Sequence, residues 1–206
     1  DNDNDLFENK KNDDFPNQIE FEKAINLIKP ILEDPSILKI GHNIKFDMNV
    51  LRQNHNGNIE VSPVDDTMCM SYCTNLGKVQ NHKLDTLAQT ELNHTTIKYE
   101  DLCGKGVNQK TFDLINPLEA LNYAAEDSDV ALALYQNLKL RLMFDKKNFV
   151  YQKLERELIS VLSDIENEGI IVNEKTLNSL SETLTKNIIE LEKKIFSITK
   201  EEFNIA

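Results

Sequence analysis

Apolar residues recur at three- and four-residue steps through most of this chain, interrupted by a few short β-prone runs. Phe21, Ala24, Ile25, Ile28, Ile31 and Leu32 share one side of a helix predicted from near Ile19 to Leu32. Pro30 is expected to end or bend it. ILKI (37–40) reads as a short strand. Gly41-His42-Asn43 then makes a turn into a helix from Ile44 to about Gln53. A second strand is predicted near Ile59–Val61, followed by a helix through Met68 and Tyr72 that Asp65 or Asp66 caps. Residues 82–92 form a helix with Leu84, Leu87 and Ala88 inward, and 97–112, polar and holding two glycines, reads as an ordered loop. Pro117 suits the first turn of a helix running to about Met143.

After Lys146-Lys147-Asn148 the texture changes. Tyr151 to Asn167 predicts a helix ending at Gly169, and 170–172 an extended piece. Leu177, Leu180, Leu184, Ile188, Leu191, Ile195 and Ile198 then form the seam of a long helix. The expected division is an acidic flexible segment 1–17, an α/β domain 18–148, and a helical segment 149–206. Both ends read as internal to a longer polypeptide.

Composition narrows the function classes. The chain has 206 residues, 40% hydrophobic and 28% charged, with a net charge of −12. That charge argues against holding nucleic acid by bulk electrostatics, although clustered carboxylates are what divalent ions need. No apolar run reaches the roughly 20 residues of a membrane span. Cys69, Cys73 and Cys103 lack paired zinc spacing, which fits a reduced, cytoplasmic setting.

Two carboxylates stand on faces that should pack. On the helix beginning at Pro117, Ala120, Tyr123, Ala124, Asp127, Val130, Ala131 and Leu134 share a side. On the helix beginning at Ile44, Asp47 shares a side with Asn43, Val50 and Leu51. An unpaired buried carboxylate is costly. A shared divalent cation would relieve the cost, with oxygen ligands favouring Mg²⁺ or Mn²⁺. A salt bridge, or solvation at a helix edge, would also relieve it. Tyr123, one turn before Asp127, has the spacing to orient a metal-bound water, or to serve as core.

HNIKFD, DDTM, HKLDTLAQTEL, GKGVNQKTF and YAAEDSDVALALY, in this order and spacing, resemble the 3′–5′ exonuclease domain of bacterial family A DNA polymerases. The segment LERELISVLSDIENEGIIVNEKTLNSLSETL resembles the start of the polymerase thumb. The resemblance covers roughly residues 20–206. It implies a ribonuclease H-like α/β fold followed by thumb-like helices, and proofreading hydrolysis at the single-stranded 3′ end of a DNA primer. Two Mg²⁺ (or Mn²⁺) ions about 4 Å apart would clamp the reacting phosphate. Asp47 and Asp127 would be metal ligands, and Tyr123 would position the attacking water. Asn43 would touch the terminal nucleotide, Tyr99 would stack on a base, and His82 and Lys83 would contact phosphate. The polymerase domain of the same parent chain is the implied partner, in a monomeric protein.

One motif of that family is missing. Its D-x-E on a first strand supplies further metal ligands, whereas the D-x-E here is Asp164-Ile165-Glu166, in a helical stretch beside Gly169. The first strands of the sheet are therefore expected to be absent from these residues. A catalytically silent scaffold of the same fold is the alternative this opens.

Overall fold

A computed structural model of the chain describes residues 18–53, 57–75 and 77–205. The acidic segment 1–17 lies outside them. Two compact units divide after Asn167.

In the first unit, α1 (Phe21–Glu33) leads to β1 (Lys39–Gly41) and α2 (Ile44–Arg52). β2 (Val64–Asp66) runs directly into α3 (Thr67–Asn75), followed by α4 (Leu84–Leu92) and α5 (Tyr99–Cys103). The long α6 (Pro117–Phe144) comes next, then the single turn α7 (Asn148–Val150), a π-helical turn at Tyr151–Glu155, and α8 (Arg156–Glu168). β1 and β2 pair in parallel, with Ile40 opposite Asp65. They make a two-stranded sheet among the described residues.

Several predicted elements move. The helix carrying Pro30 continues past it to Glu33. The second strand is Val64–Asp66, not Ile59–Val61. Ile59 and Val61 are buried but make no ladder; they pack with Ile44, Met48, Val64 and Ile159. The polar stretch 97–112 contains α5 and two short 3₁₀ turns, Gly106–Asn108 and Phe112–Leu114. Residues 170–172 take no regular structure.

The main core is built on α6. Val130, Leu134, Leu138 and Leu142 recur every fourth residue and pack on Met70, Leu87 and Ala88 of α3 and α4. Each such side chain contributes about 1.5–3 kcal/mol when fully buried. Asn116 caps this helix, its side-chain oxygen accepting from the Leu118 N–H at 2.9 Å ahead of Pro117 at the first turn.

Asp66 decides how α2 and α3 leave the sheet. It is 1% exposed. Its carboxylate accepts from the backbone N–H groups of Asn43 (3.1 Å), Ile44 (3.0 Å) and Met68 (2.8 Å). One side chain thus satisfies donors at the start of both helices, donors that burial would otherwise leave costly. Of the two candidate caps, Asp66 is the one that caps α3.

Asp65, also buried, accepts from the Tyr151 hydroxyl at 2.9 Å, and Arg156 Nε lies 3.3 Å from the same oxygen. The Tyr151 hydroxyl in turn accepts from the Asp66 N–H at 3.0 Å, and Arg156 Nε donates to the Val64 carbonyl at 2.9 Å. This fastens the chain after residue 148 to β2. Residues up to Asn167 belong to the same compact unit.

The second unit contains α9 (Glu174–Thr199), capped by Asn173, whose side-chain oxygen accepts from the Thr176 N–H at 3.1 Å. The predicted seam residues Leu177, Leu180, Leu184, Ile188 and Leu191 are exposed on it.

Candidate nuclease cleft

One cleft in the first unit, about 1040 Å³, gathers Asn43, Asp47, Lys83, Tyr99, Tyr123 and Asp127 among its lining residues. These come from four elements separated widely in sequence. Asn43 ends the β1–α2 turn, with a φ of 59° in the left-handed region that asparagine tolerates better than most residues. Its backbone N–H is held by Asp66, so α2 starts in a set direction and carries Asp47 toward the cleft.

Asp47 does not sit on the packing side of α2. That side belongs to Ile44 and Met48. Asp47 keeps exposed surface while the cleft wall closes around its carboxyl. Desolvation holds that carboxyl above its ordinary value, against a backbone hydrogen bond, and the charge of Asp66 adds to the rise.

Asp127 is half-buried on α6. Ala120, Val130, Ala131 and Leu134 of its predicted face are buried, but Ala124 is exposed. The inward face opens at this point into the cleft. Desolvation raises the Asp127 carboxyl, neighbouring Glu126 raises it further, and a hydrogen bond from Tyr123 opposes both. Tyr123 is itself pushed up, by burial first and then by the Asp127 charge.

Tyr123 also belongs to an aromatic cluster. Its ring centroid lies 6.3 Å from Tyr99, edge-on, and 5.9 Å from Phe112. Tyr99 and Phe112 stack with centroids 6.4 Å apart. Phe112 was not among the residues singled out by sequence. Its only signal was its place in the GKGVNQKTF segment.

His82 does not line this cleft. It is 9% exposed, stacks on Tyr72 with centroids 3.8 Å apart, and its Nδ1 lies 2.8 Å from Ser71 Oγ. Burial lowers its pKa. Its neighbour Lys83 is exposed and lines the cleft, as does His42, whose Nδ1 lies 2.9 Å from Thr67 Oγ1.

Asp164-Ile165-Glu166 lies on α8 and is engaged elsewhere. Arg52 Nη1 is 2.6 Å from Asp164, and Glu166 pairs with Lys45 and accepts from Asn49 Nδ2 at 2.8 Å. Lys45, Asn49 and Arg52 occupy a face of α2 other than that of Asp47.

Two carboxylates lining one cleft are the kind of donor a divalent cation takes, yet the donor set falls short of a two-ion centre. No group of three or more His, Cys, Asp or Glu among the described residues is arranged to hold a metal. Two carboxylates carry half the charge that two divalent ions bring.

A family described as 3′–5′ exonuclease matches residues 6–143. A protein named DNA polymerase I from Rhizobium leguminosarum is 40% identical over 190 residues, which is 92% of this chain and 18% of that protein. The chain thus spans less than a fifth of that relative's length. Among solved structures, Brucella melitensis NrnC bound to pGG superposes with a TM-score of 0.56 at 25% identity, covering 70% of this chain and 64% of that one. The POL domain of Pol1 from M. smegmatis, in complex with DNA primer-template and dNTP, gives a TM-score of 0.62 at 19% identity over 91% of this chain and 29% of that one. The cleft chemistry and a match over more than half of the residues agree: the chain belongs to the 3′–5′ exonuclease family.

Proposed function

We propose that this chain is the 3′–5′ proofreading exonuclease part of a DNA polymerase I-type enzyme, hydrolysing the terminal phosphodiester at the single-stranded 3′ end of a primer. The observation that carries this reading is the convergence of Asp47 and Asp127, from separate helices, on one cleft rimmed by Tyr99 and Tyr123. Water adds to the terminal phosphorus, the bond to the 3′ oxygen of the preceding nucleotide breaks, and that oxygen leaves with a proton. The product is a nucleoside 5′-monophosphate. Tyr99, 39% exposed, offers a ring for base stacking, worth about 1–3 kcal/mol. Asn43 borders the terminal nucleotide and Lys83 supplies a cation to a phosphate. The Tyr123 hydroxyl, held beside Asp127, orients the attacking water.

Bound Mg²⁺ or Mn²⁺ would supply Lewis-acid activation of water and charge neutralisation. Asp47 and Asp127 alone do not complete such a centre, so further carboxylates must come from outside the described residues. The polymerase domain of the parent protein is the proposed partner, in a cytoplasmic monomer. Among the described residues, no helix is long and apolar enough to cross a membrane.

The second reading, a catalytically silent scaffold, is favoured by the same shortage of carboxylates. One experiment separates them: Mg²⁺-dependent degradation of end-labelled single-stranded DNA by the intact parent protein and by its Asp127→Ala variant. Degradation that the variant loses, with polymerisation spared, supports the nuclease. Undiminished degradation in the variant removes the site assignment, and no degradation by the wild type supports the scaffold.

A further inference from the structure

Glu126, next to Asp127, bonds the segment that precedes α5 through its carboxylate. Its Oε2 accepts from the Ile97 N–H at 2.7 Å, and its Oε1 lies 2.8 Å from His94 Nε2. Its side chain is 17% exposed. Those contacts pull its carboxyl below the ordinary value, the Ile97 hydrogen bond first. Ile97 is two residues before Tyr99, and Tyr99 meets Phe112 and Tyr123. On its α4 side the connection between α4 and α5 is tied by the His94 N–H to the Ala88 carbonyl at 3.0 Å and by Thr95 Oγ1 to Gln89 Oε1 at 2.9 Å. The side chain that links this arm to α6 in these bonds is Glu126.

We propose that Glu126 is a positioning residue that sets the base-stacking ring of Tyr99 at the cleft mouth. By bonding the backbone of the arm, it fixes where Tyr99 stands relative to Tyr123 and Asp127 on the same helix. Neighbouring positions on α6 thus serve different ends: Asp127 and Tyr123 face the reacting phosphate, and Glu126 holds the arm that receives the base. This rests on the exonuclease reading above. A charged acceptor on a backbone N–H is a strong hydrogen bond, and its loss frees the arm without removing any group that touches DNA.

The test uses the intact parent protein and a single-stranded oligonucleotide with a 3′-terminal 2-aminopurine and a phosphorothioate last linkage, which resists cleavage. Stacking of the terminal base quenches 2-aminopurine fluorescence. Glu126→Ala is expected to lose most of the quench and to weaken binding by about tenfold or more, the scale of one charged hydrogen bond. Glu126→Gln is expected to restore most of the quench, because its amide oxygen still accepts from Ile97. Should Glu126→Ala not fold, Glu126→Asp carries the same test, since it keeps the charge but is one methylene too short. Tyr99→Ala separates the two failures. Quench lost in Tyr99→Ala but kept in the Glu126 variants overturns the positioning role alone. Wild-type quench that Tyr99→Ala leaves intact, or no quench in the wild type, overturns the positioning role together with the stacking assignment.

Discussion

Tyr123 stands one turn before Asp127 on α6, and the two share a cleft with Asp47 from α2. Burial raises the Asp127 carboxyl, and the neighbouring phenol opposes that rise.

Replacing that phenol tests its role. In the intact parent protein, Tyr123→Phe should lower the exonuclease rate by roughly 10²-fold, the scale of one well-placed proton-handling or water-orienting group. The KM for single-stranded DNA should hardly change, because the ring and its contacts with Tyr99 and Phe112 remain. Steady-state kinetics with an end-labelled oligonucleotide measure both. A change confined to KM would assign Tyr123 to binding instead.

The D-x-E on α8 makes an opposite prediction. Asp164→Asn with Glu166→Gln should leave nuclease activity at the wild-type level, since both carboxylates are spent on Arg52, Lys45 and Asn49. Both acids are more than one-third exposed. The double variant should therefore lose little stability, because solvent screens exposed ion pairs. Denaturant melts and the degradation assay read the two effects separately. A large loss of activity would place these carboxylates at the metal after all.

Two histidines give stability a pH dependence. Burial lowers both His42 and His82 below the ordinary 6.5, with Asp66 opposing the shift at His42. Above pH 6.5 neither the folded nor the unfolded form holds these protons. As pH falls below 6.5 the unfolded chain takes them up first, and stability is lost progressively through the folded values. Thermal melts between pH 7 and pH 5 should show Tm falling, and the double variant His42→Gln, His82→Gln should flatten that slope. A wild-type Tm that rises on acidification would contradict the burial of these rings.

Much of the helical scaffold was legible from periodicity, because a long amphipathic helix writes its partner face into its own local sequence. The spacing of Val130, Leu134 and Leu138 marks α6 without knowledge of what covers it. The strands were harder. A strand of three residues is defined by its pairing, so β-prone Ile59–Val61 stood out, whereas the ladder with Lys39–Gly41 forms at Val64–Asp66, whose two aspartates gave no strand signal. α5 was hidden for a related reason. A single helical turn in a polar stretch has too few residues to show a period.

The same division runs through the candidate site. Asp47, Tyr123 and Asp127 stood out as polar groups on faces that should be apolar, and that oddity is a property of the chain alone. Which carboxylates face an open cleft and which are spent inside is not. Among the described residues, Asp65 and Asp66 are the deeply buried acids, held by Tyr151, Arg156 and backbone N–H groups. Asp164 and Glu166 turn to Arg52 and Lys45, and His82 turns away to Ser71 and Tyr72. The sequence by itself determined the helices and the residues whose chemistry is out of place on them. Tertiary structure decided which of those residues meet, because a carboxylate's solvation and partners depend on elements tens of residues away.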